Sequence, residues 1–289
     1  MTAAAGRVAI LGTGLLGGSL AAALKRHRIA GRIIGHAGGS DAARALALGL
    51  IDEQADSPES AVAGADLVVL AAPVSVNCDL IGRIGPSLAD GALLTDVSSV
   101  KGQVVAAARA RLAARLADFV PSHPIAGSER SGPDAADAGL FDRRTVVLSP
   151  LPESSPAQVA RLDAIWRALG ARTVRLAVAD HDRVYALVSH WPHALAFAMA
   201  AAVADDPIGS GGPAAGQLIG PGLLDLTRTA ASSPELWADI LLQNAEQSLI
   251  AAAQVGRQTS QIEAAIRAGD RATLVRLFGT AAAWRRAAA

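Results

Sequence analysis

The sequence predicts an α/β fold in which a Rossmann-type, mostly parallel sheet domain precedes an all-helical domain. Three observations carry that reading. Short β-branched runs alternate with alanine-rich helical stretches through the first half of the chain. A glycine loop follows the first of those runs, and strand signals stop after about Ala177. Alternating strands and helices, with strands that are apolar almost throughout, make a sheet covered on both faces.

The elements follow in order. A strand over 7–11 (Arg-Val-Ala-Ile-Leu) leads into Gly12-Thr13-Gly14-Leu15-Leu16-Gly17 and a helix over 15–27. Gly12, Gly14 and Gly17 fit G-x-G-x-x-G in its required setting, after a strand and opening a helix. The first glycine permits the tight turn, the second admits a pyrophosphate to the backbone, and the third packs helix on strand. The helix N-terminus then offers amides and partial positive charge to phosphates.

A second strand over 32–36 ends at His36. Ala37 stands where an NAD site usually carries the acid that accepts from the ribose 2′-hydroxyl. Ser40 with Asp41 reads as the N-cap of a helix over 41–48, and Arg44 is one turn into it. Without the carboxylate, a 2′-phosphate meets no repulsion, so NADP is modestly favoured over NAD. The cofactor contacts expected are Gly12, Gly14, Leu15, Leu16, Gly17, His36, Ala37, Ser40 and Pro73.

Further strands are expected at 66–71, 92–96, 117–121, 144–149 and 172–176, with helices at 100–116 and 156–169. Beyond them, 180–204, 234–256, 258–268 and 270–287 read as helix, and 205–222 as a glycine-rich loop. The domains are therefore 1–177 and 178–289. The helices of the second are apolar on more faces than one small domain covers, which points to a homodimer.

Composition sets outer bounds. The 289 residues are 51% hydrophobic and 18% charged, with 26 basic and 26 acidic side chains, so neither disorder nor electrostatic binding to nucleic acid or anionic membrane is expected. Cys78, the single cysteine, has no partner for a disulfide or a cysteine zinc site. The early first strand leaves no room for a signal peptide, and no uninterrupted apolar stretch reads as a bilayer span. A soluble, cytoplasmic protein is expected.

Four segments carry the chemistry: Thr95-Asp96-Val97-Ser98-Ser99-Val100-Lys101, Ser122-His123-Pro124-Ile125-Ala126-Gly127-Ser128-Glu129, Val188-Ser189-His190-Trp191-Pro192-His193 and Leu224-Asp225-Leu226-Thr227-Arg228. Each alone has an ordinary alternative. Ser98 and Ser99 can cap the next helix, and His123 can be a satisfied core histidine. His190 and His193, at i and i+3 on a helix, can serve metal, interface packing or substrate contact, and Arg228 can be a surface charge.

Together with the loop Gly14-Leu15-Leu16-Gly17-Gly18-Ser19-Leu20, these segments resemble the prephenate/arogenate (cyclohexadienyl) dehydrogenase family of tyrosine biosynthesis, from about residue 7 to about 245. His-Pro-Ile-Ala-Gly and Ser-His-x-Pro-His are the most diagnostic parts. The resemblance implies a Rossmann-type domain, a helical dimer-forming domain and an active site between them. It implies oxidative decarboxylation of prephenate, arogenate or both: hydride passes to NAD(P), a base takes the 4-hydroxyl proton, and the ring carboxylate leaves as CO2. No metal is required.

By the same resemblance, His123 is the base, a role suited to a neutral imidazole, and Ser99 orients it. Arg228 binds a substrate carboxylate as a fork, steadied by Asp225. His190 and His193 line the pocket, and Glu129 is an acid near its mouth. The chain departs from the family pattern at Leu224, where a basic residue is common, and at Pro221, which interrupts the glycine run. A β-hydroxyacid dehydrogenase or imine reductase shares the glycine loop, but the former needs a lysine in the second domain, and the only lysines are Lys25 and Lys101. A nucleotide sensor without chemistry leaves the His, Ser and Arg set unexplained.

Overall fold

Residues 5–128, 130–206 and 218–288 are described by the computed structural model. At its centre is β1 (Ala5–Leu11), whose apolar residues alternate between two faces and are buried on both. α1 (Leu15–Arg26), β2 (Ala30–His36), α2 (Asp41–Ala47), β3 (Glu53–Gln54), α3 (Pro58–Val62), β4 (Leu67–Leu70), α4 (Val74–Ile84), β5 (Leu93–Asp96) and α5 (Gly102–Arg111) follow. β6 (Phe119–Pro124), β7 (Thr145–Leu148), α6 (Pro156–Ala168) and β8 (Arg172–Arg175) complete the sheet domain.

Among the described residues, eight strands lie in the order β3-β2-β1-β4-β5-β6-β7-β8, and of their pairings only β6–β7 is antiparallel. Period-2 alternation builds two cores, one on each face. Val8, Ile10 and Val69 pack with Leu24, Leu162 and Trp166 on one side. Ala9, Leu11 and Val68 pack with Ile81, Ile84 and Val104 on the other. Chain order reverses about β1 and β4, so the crevice beyond their carboxyl ends is where an open α/β sheet takes its ligand.

The two-residue β3 and the five-residue α3 are absent from the sequence reading, since two residues carry no period and 58–62 is barely a turn long; the eleven-residue α4 is absent from it as well. The helix expected over 100–116 is shorter. It begins at Gly102 and ends before Ala113, whose φ of 47° is left-handed and starts a 3₁₀ segment, Ala113–Asp118. Ser98 and Ser99 do not cap it. The hydroxyl of Ser98 instead accepts a hydrogen bond from Asn77 at 2.9 Å. Ser40 stands at the N-cap position of α2, but its side chain makes no capping bond.

The second domain comprises α7 (Val178–Tyr185), a π-helical turn at Ala186–His190, α8 (Trp191–Asp205), α9 (Pro221–Thr227), α10 (Pro234–Gln243), α11 (Ala245–Ala268) and α12 (Arg271–Ala287). Most of the loop expected over 205–222 lies outside the described residues, and Pro221 begins α9 rather than ending that loop. The helix expected over 234–256 breaks at Asn244, with φ −119° and ψ 37°. The break expected near Gly256 does not occur: α11 runs through it, since an interior glycine costs a helix only about 1 kcal/mol.

The run Val178–Asp205, joined across the π turn, is 28 residues long with a mean hydropathy of 1.3. By length and composition alone it is apolar enough to cross a membrane, although Asp180, Asp182 and Arg183 interrupt its apolar run, which is why the sequence, read as one helix over 180–204, shows no uninterrupted span. Only 17% of its most apolar stretch is buried within the chain. Leu187, Val188, Leu195 and Met199 on this run, with Leu249, Ile250, Phe278 and Trp284 further on, are exposed.

Candidate active site

Three glycines shape the mouth of the β1–α1 turn. Gly12 has φ of 101°, and a Cβ there would lie 2.5 Å from the backbone of Ala71 and Ala72. A Cβ on Gly17 would lie 1.8 Å from the Gly12 carbonyl oxygen, so the first turn of α1 rests directly on the loop. A Cβ on Gly14 would meet nothing within 4 Å. Gly14 thus presents open backbone at the N-cap of a twelve-residue helix, a cradle that fits a dinucleotide pyrophosphate.

The other expected cofactor contacts lie around this mouth. Leu15 and Leu16 are half-buried, and Pro73 is exposed at the N-cap of α4. His36 and Ala37 are half-buried at the end of β2, where Nδ1 of His36 donates to the Ala55 carbonyl at 3.0 Å. Ser40 is exposed. The guanidinium of Arg44 is held by Asp134, with Nε 3.0 Å from both carboxylate oxygens and Nη2 closer still.

Asp96, at the end of β5, is fully buried and gathers the next strand and loop. It accepts from the amides of Ser98 (3.0 Å) and Ser122 (3.2 Å) and pairs closely with Lys101 Nζ. Lys101, also fully buried, donates in addition to the Ser122 carbonyl at 2.7 Å. Burial pushes the Lys101 ammonium below its ordinary value, against the pull of Asp96. The pair fixes the backbone on which His123 stands.

His123 is buried near the end of β6. Its Nδ1 lies 2.9 Å from Nε2 of His181 on α7, and Nδ1 of His181 lies 2.8 Å from Oδ1 of Asp182. The Asp182 carboxylate accepts from the amides of Lys101 (2.8 Å) and Gly102 (2.7 Å) at the start of α5. The Tyr185 ring covers both imidazoles, at 4.9 Å from His123 and 4.6 Å from His181. Burial first, then the charges of His181, Lys101 and His190, push His123 well below the ordinary 6.5. For Asp182, burial acts upward, but the bonds from His181 and the two amides outweigh it and hold the carboxyl below its ordinary value.

His190 is buried too. Its Nδ1 accepts from Asn244 at 3.1 Å, while the other hydrogen of that amide nitrogen goes to the Asp182 carbonyl at 2.9 Å. Its Nε2 has no partner in normal hydrogen-bond geometry, although the Ser99 carbonyl lies near enough to favour a proton there. Burial dominates and pushes His190 down to about 4. His193 stacks on Trp237 with ring centroids 3.6 Å apart, and its Nδ1 donates to the Ser189 carbonyl at 2.8 Å. Its pKa is lowered by burial first and also by the nearby Arg228 charge.

The structure therefore brings His123, His190 and the Ser99 backbone into one cluster, with His193 and Arg228 together beside it. Two expected contacts are corrected. The partner that holds His123 is His181, and no hydrogen bond joins the Ser99 hydroxyl to it. Asp225 is exposed and makes no ion pair with Arg228; α9 ends between them and a 3₁₀ turn begins at Arg228. Glu129 lies outside the described residues. His181, Asp182, Trp237 and Asn244 were not singled out from the sequence. The run Asp180-His181-Asp182-Arg183 at the head of an otherwise apolar helix was the available signal.

Residues 20–175 match the family described as "Prephenate dehydrogenase, nucleotide-binding domain", and residues 177–280 match "Prephenate dehydrogenase, dimerization domain". The chain is 34% identical to the prephenate dehydrogenase of Bacillus subtilis over 96% of its own length and 75% of that protein's. It is 36% identical to the cyclohexadienyl dehydrogenase of Zymomonas mobilis over 82% of its length and 80% of the relative's. The crystal structure of prephenate dehydrogenase from A. aeolicus in complex with hydroxyphenyl propionate and NAD+ superposes with a TM-score of 0.84 at 28% identity, covering 97% of this chain and 98% of that one.

The Asp96–Lys101 pair generates a stability prediction. Lys101→Met leaves a buried carboxylate without its counter-charge, so unfolding free energy falls by about 3–5 kcal/mol. Chemical denaturation of the variant beside the parent protein measures it, and a loss below about 1 kcal/mol contradicts the account.

Proposed function

Because the chain belongs to the prephenate dehydrogenase family, we propose that His123 is the general base of its reaction, with Arg228 and His193 holding the substrate. The reaction itself is NAD(P)-dependent oxidative decarboxylation of prephenate or arogenate in tyrosine synthesis. The observation that carries the assignment to His123 is its burial as a neutral imidazole with Nδ1 engaged, leaving Nε2 as the ring's proton acceptor.

When bound, the nicotinamide supplies the hydride acceptor. The glycine loop holds the dinucleotide through open backbone at Gly14 and the head of α1. Nε2 of His123 takes the 4-hydroxyl proton as the ring carbon loses its hydride. The bond to the ring carboxylate then breaks to release CO2, its electrons complete the aromatic ring, and the proton returns to the phenolic oxygen. Arg228 pairs as a fork with a substrate carboxylate. His193, held flat on Trp237 with Nδ1 committed to Ser189, offers Nε2 to the pocket. Ser99 and His190 line the pocket beside His123, and, on the family pattern alone, Glu129 serves as an acid near its mouth.

Supporting a homodimer, the exposed apolar side chains concentrate in 178–288, the part matching the dimerization description. An obligate interface is the usual way to cover such a face. Light scattering at micromolar concentration should give twice the chain mass, and a monomer contradicts the proposal.

NADP is proposed to serve at least as well as NAD. Ala37 neither repels a 2′-phosphate nor rewards a free 2′-hydroxyl, and the Ser40 hydroxyl is not spent on a cap. Arg44 can join only by leaving Asp134. Ala37→Asp should move the NAD/NADP ratio of kcat/KM toward NAD by roughly 1–3 kcal/mol, from one added hydrogen bond and one added repulsion. A parent protein that already favours NAD more than tenfold overturns this reading.

For the base, His123→Asn should lower kcat by ~10²–10⁴-fold with little change in KM, since asparagine bonds but takes no proton at neutral pH. Because the folded pKa of His123 is depressed, the base stays neutral until pH falls below the ordinary value. The acid limb of kcat/KM in the parent protein should therefore lie below pH 6.5. Unchanged turnover in the asparagine variant removes His123 from the mechanism.

A further inference from the structure

We propose that His181 and Asp182 are positioning residues that lock His123 in the one tautomer able to act as a base, a proposal that rests on the assignment of His123 above. Hydrogen-bond accounting along the chain of contacts gives the lock. Asp182 Oδ1 already accepts from the Lys101 amide, and Oδ2 from the Gly102 amide. Both donors are backbone N–H groups that cannot reverse, so they fix the carboxyl as an acceptor. At 2.8 Å from Oδ1, Nδ1 of His181 must then be the donor. A neutral imidazole with its proton on Nδ1 has a bare Nε2.

Nε2 of His181 therefore accepts across the 2.9 Å contact, and Nδ1 of His123 donates. What remains on His123 is a bare Nε2, the nitrogen that takes the hydroxyl proton. Reversing any one bond leaves two N–H groups facing each other or puts the proton of His123 on the wrong nitrogen. When His123 gains its proton, the imidazolium keeps an acceptor at Nδ1, and the Asp182 charge lies beyond it.

The groups facing this pair come from several elements. Asp96, Lys101 and the first amides of α5 stand on one side, Tyr185 and Asp182 on α7, and His190 with Asn244 on the other. Among the described residues, these are the titratable and charged neighbours that set the proton affinity of His123. Only Asp182 reaches it through a hydrogen-bonded relay. Burial of the dyad matters as well: His181 is fully buried, so water does not replace it as acceptor.

The decisive measurement is ¹⁵N NMR of histidine-labelled protein near neutral pH, with His123 assigned by difference against His123→Asn. His123 is expected in the Nδ1–H form, and an Nε2–H form in the resting protein overturns the proposal. In Asp182→Ala nothing fixes the proton of His181 on Nδ1, so His123 should shift to the Nε2–H or a mixed form, while an unshifted tautomer overturns the proposal.

Kinetics give the second reading. His181→Leu should lower kcat by roughly 10²–10³-fold with KM within about threefold, and move the acid limb of kcat/KM to lower pH, because the imidazolium loses its acceptor. His181→Gln, which can accept from His123 and donate to Asp182, should recover at least tenfold of that loss. Turnover of His181→Leu within threefold of the parent, or a glutamine variant no better than leucine, overturns the proposal. If His181→Leu does not fold, the tautomer of His123 in the parent protein and in His181→Gln decides the matter alone. Failure of the underlying assignment looks different: His123→Asn itself then keeps its turnover.

Discussion

The Asp182 carboxylate is the contact on which the rest of the site depends. It sits on the first helix of the second domain yet is held by the opening amides of α5 in the first. Two charge-assisted bonds to backbone at a helix N-terminus are among the firmer ways to seat one domain on another. The same carboxylate engages His181, so docking the domains and placing an imidazole against His123 are one event. The neighbouring carbonyl of Asp182 takes the Asn244 amide, which also reaches His190. Four elements therefore converge on two adjacent residues.

Beneath this contact lies a second constraint, the Asp96–Lys101 pair. A buried ion pair seldom adds net stability over apolar packing, but losing half of it is costly. Here it ties the end of β5 to the carbonyl and amide of Ser122, one residue before His123. The sheet's own register, with Asp96 beside Pro121, brings those groups into range. Placement of His123 is thus over-determined: strand pairing sets its height, the ion pair sets its backbone, and His181 sets its ring.

Much of this was legible in the sequence. Alternating apolar strands, the glycine loop and the long alanine-rich helices are local patterns, and they locate seven of the eight described strands along the chain as well as the helical second half. The illegible parts have physical reasons. β3 is two residues on the sheet edge, too short for a period. The late start of α5 reflects Asp182 occupying its first amides, and the break at Asn244 reflects a side chain recruited to the domain junction. Neither cause is present in the local segment.

The sequence by itself determined the chemistry of the parts. A loop needing glycines at 12 and 17, because a Cβ would strike backbone at 2.5 and 1.8 Å, is written in the residues themselves. So is the absence of an acid at Ala37, and so are the positions of His123, His193 and Arg228 in their segments. Tertiary structure decided which groups meet. His123 found its partner 58 residues away, Arg44 was taken by Asp134 90 residues on, and Lys101 turned inward to Asp96. Periodicity reports which face of an element is apolar, whereas a hydrogen bond between distant side chains depends on where two backbones cross. No local pattern encodes that crossing.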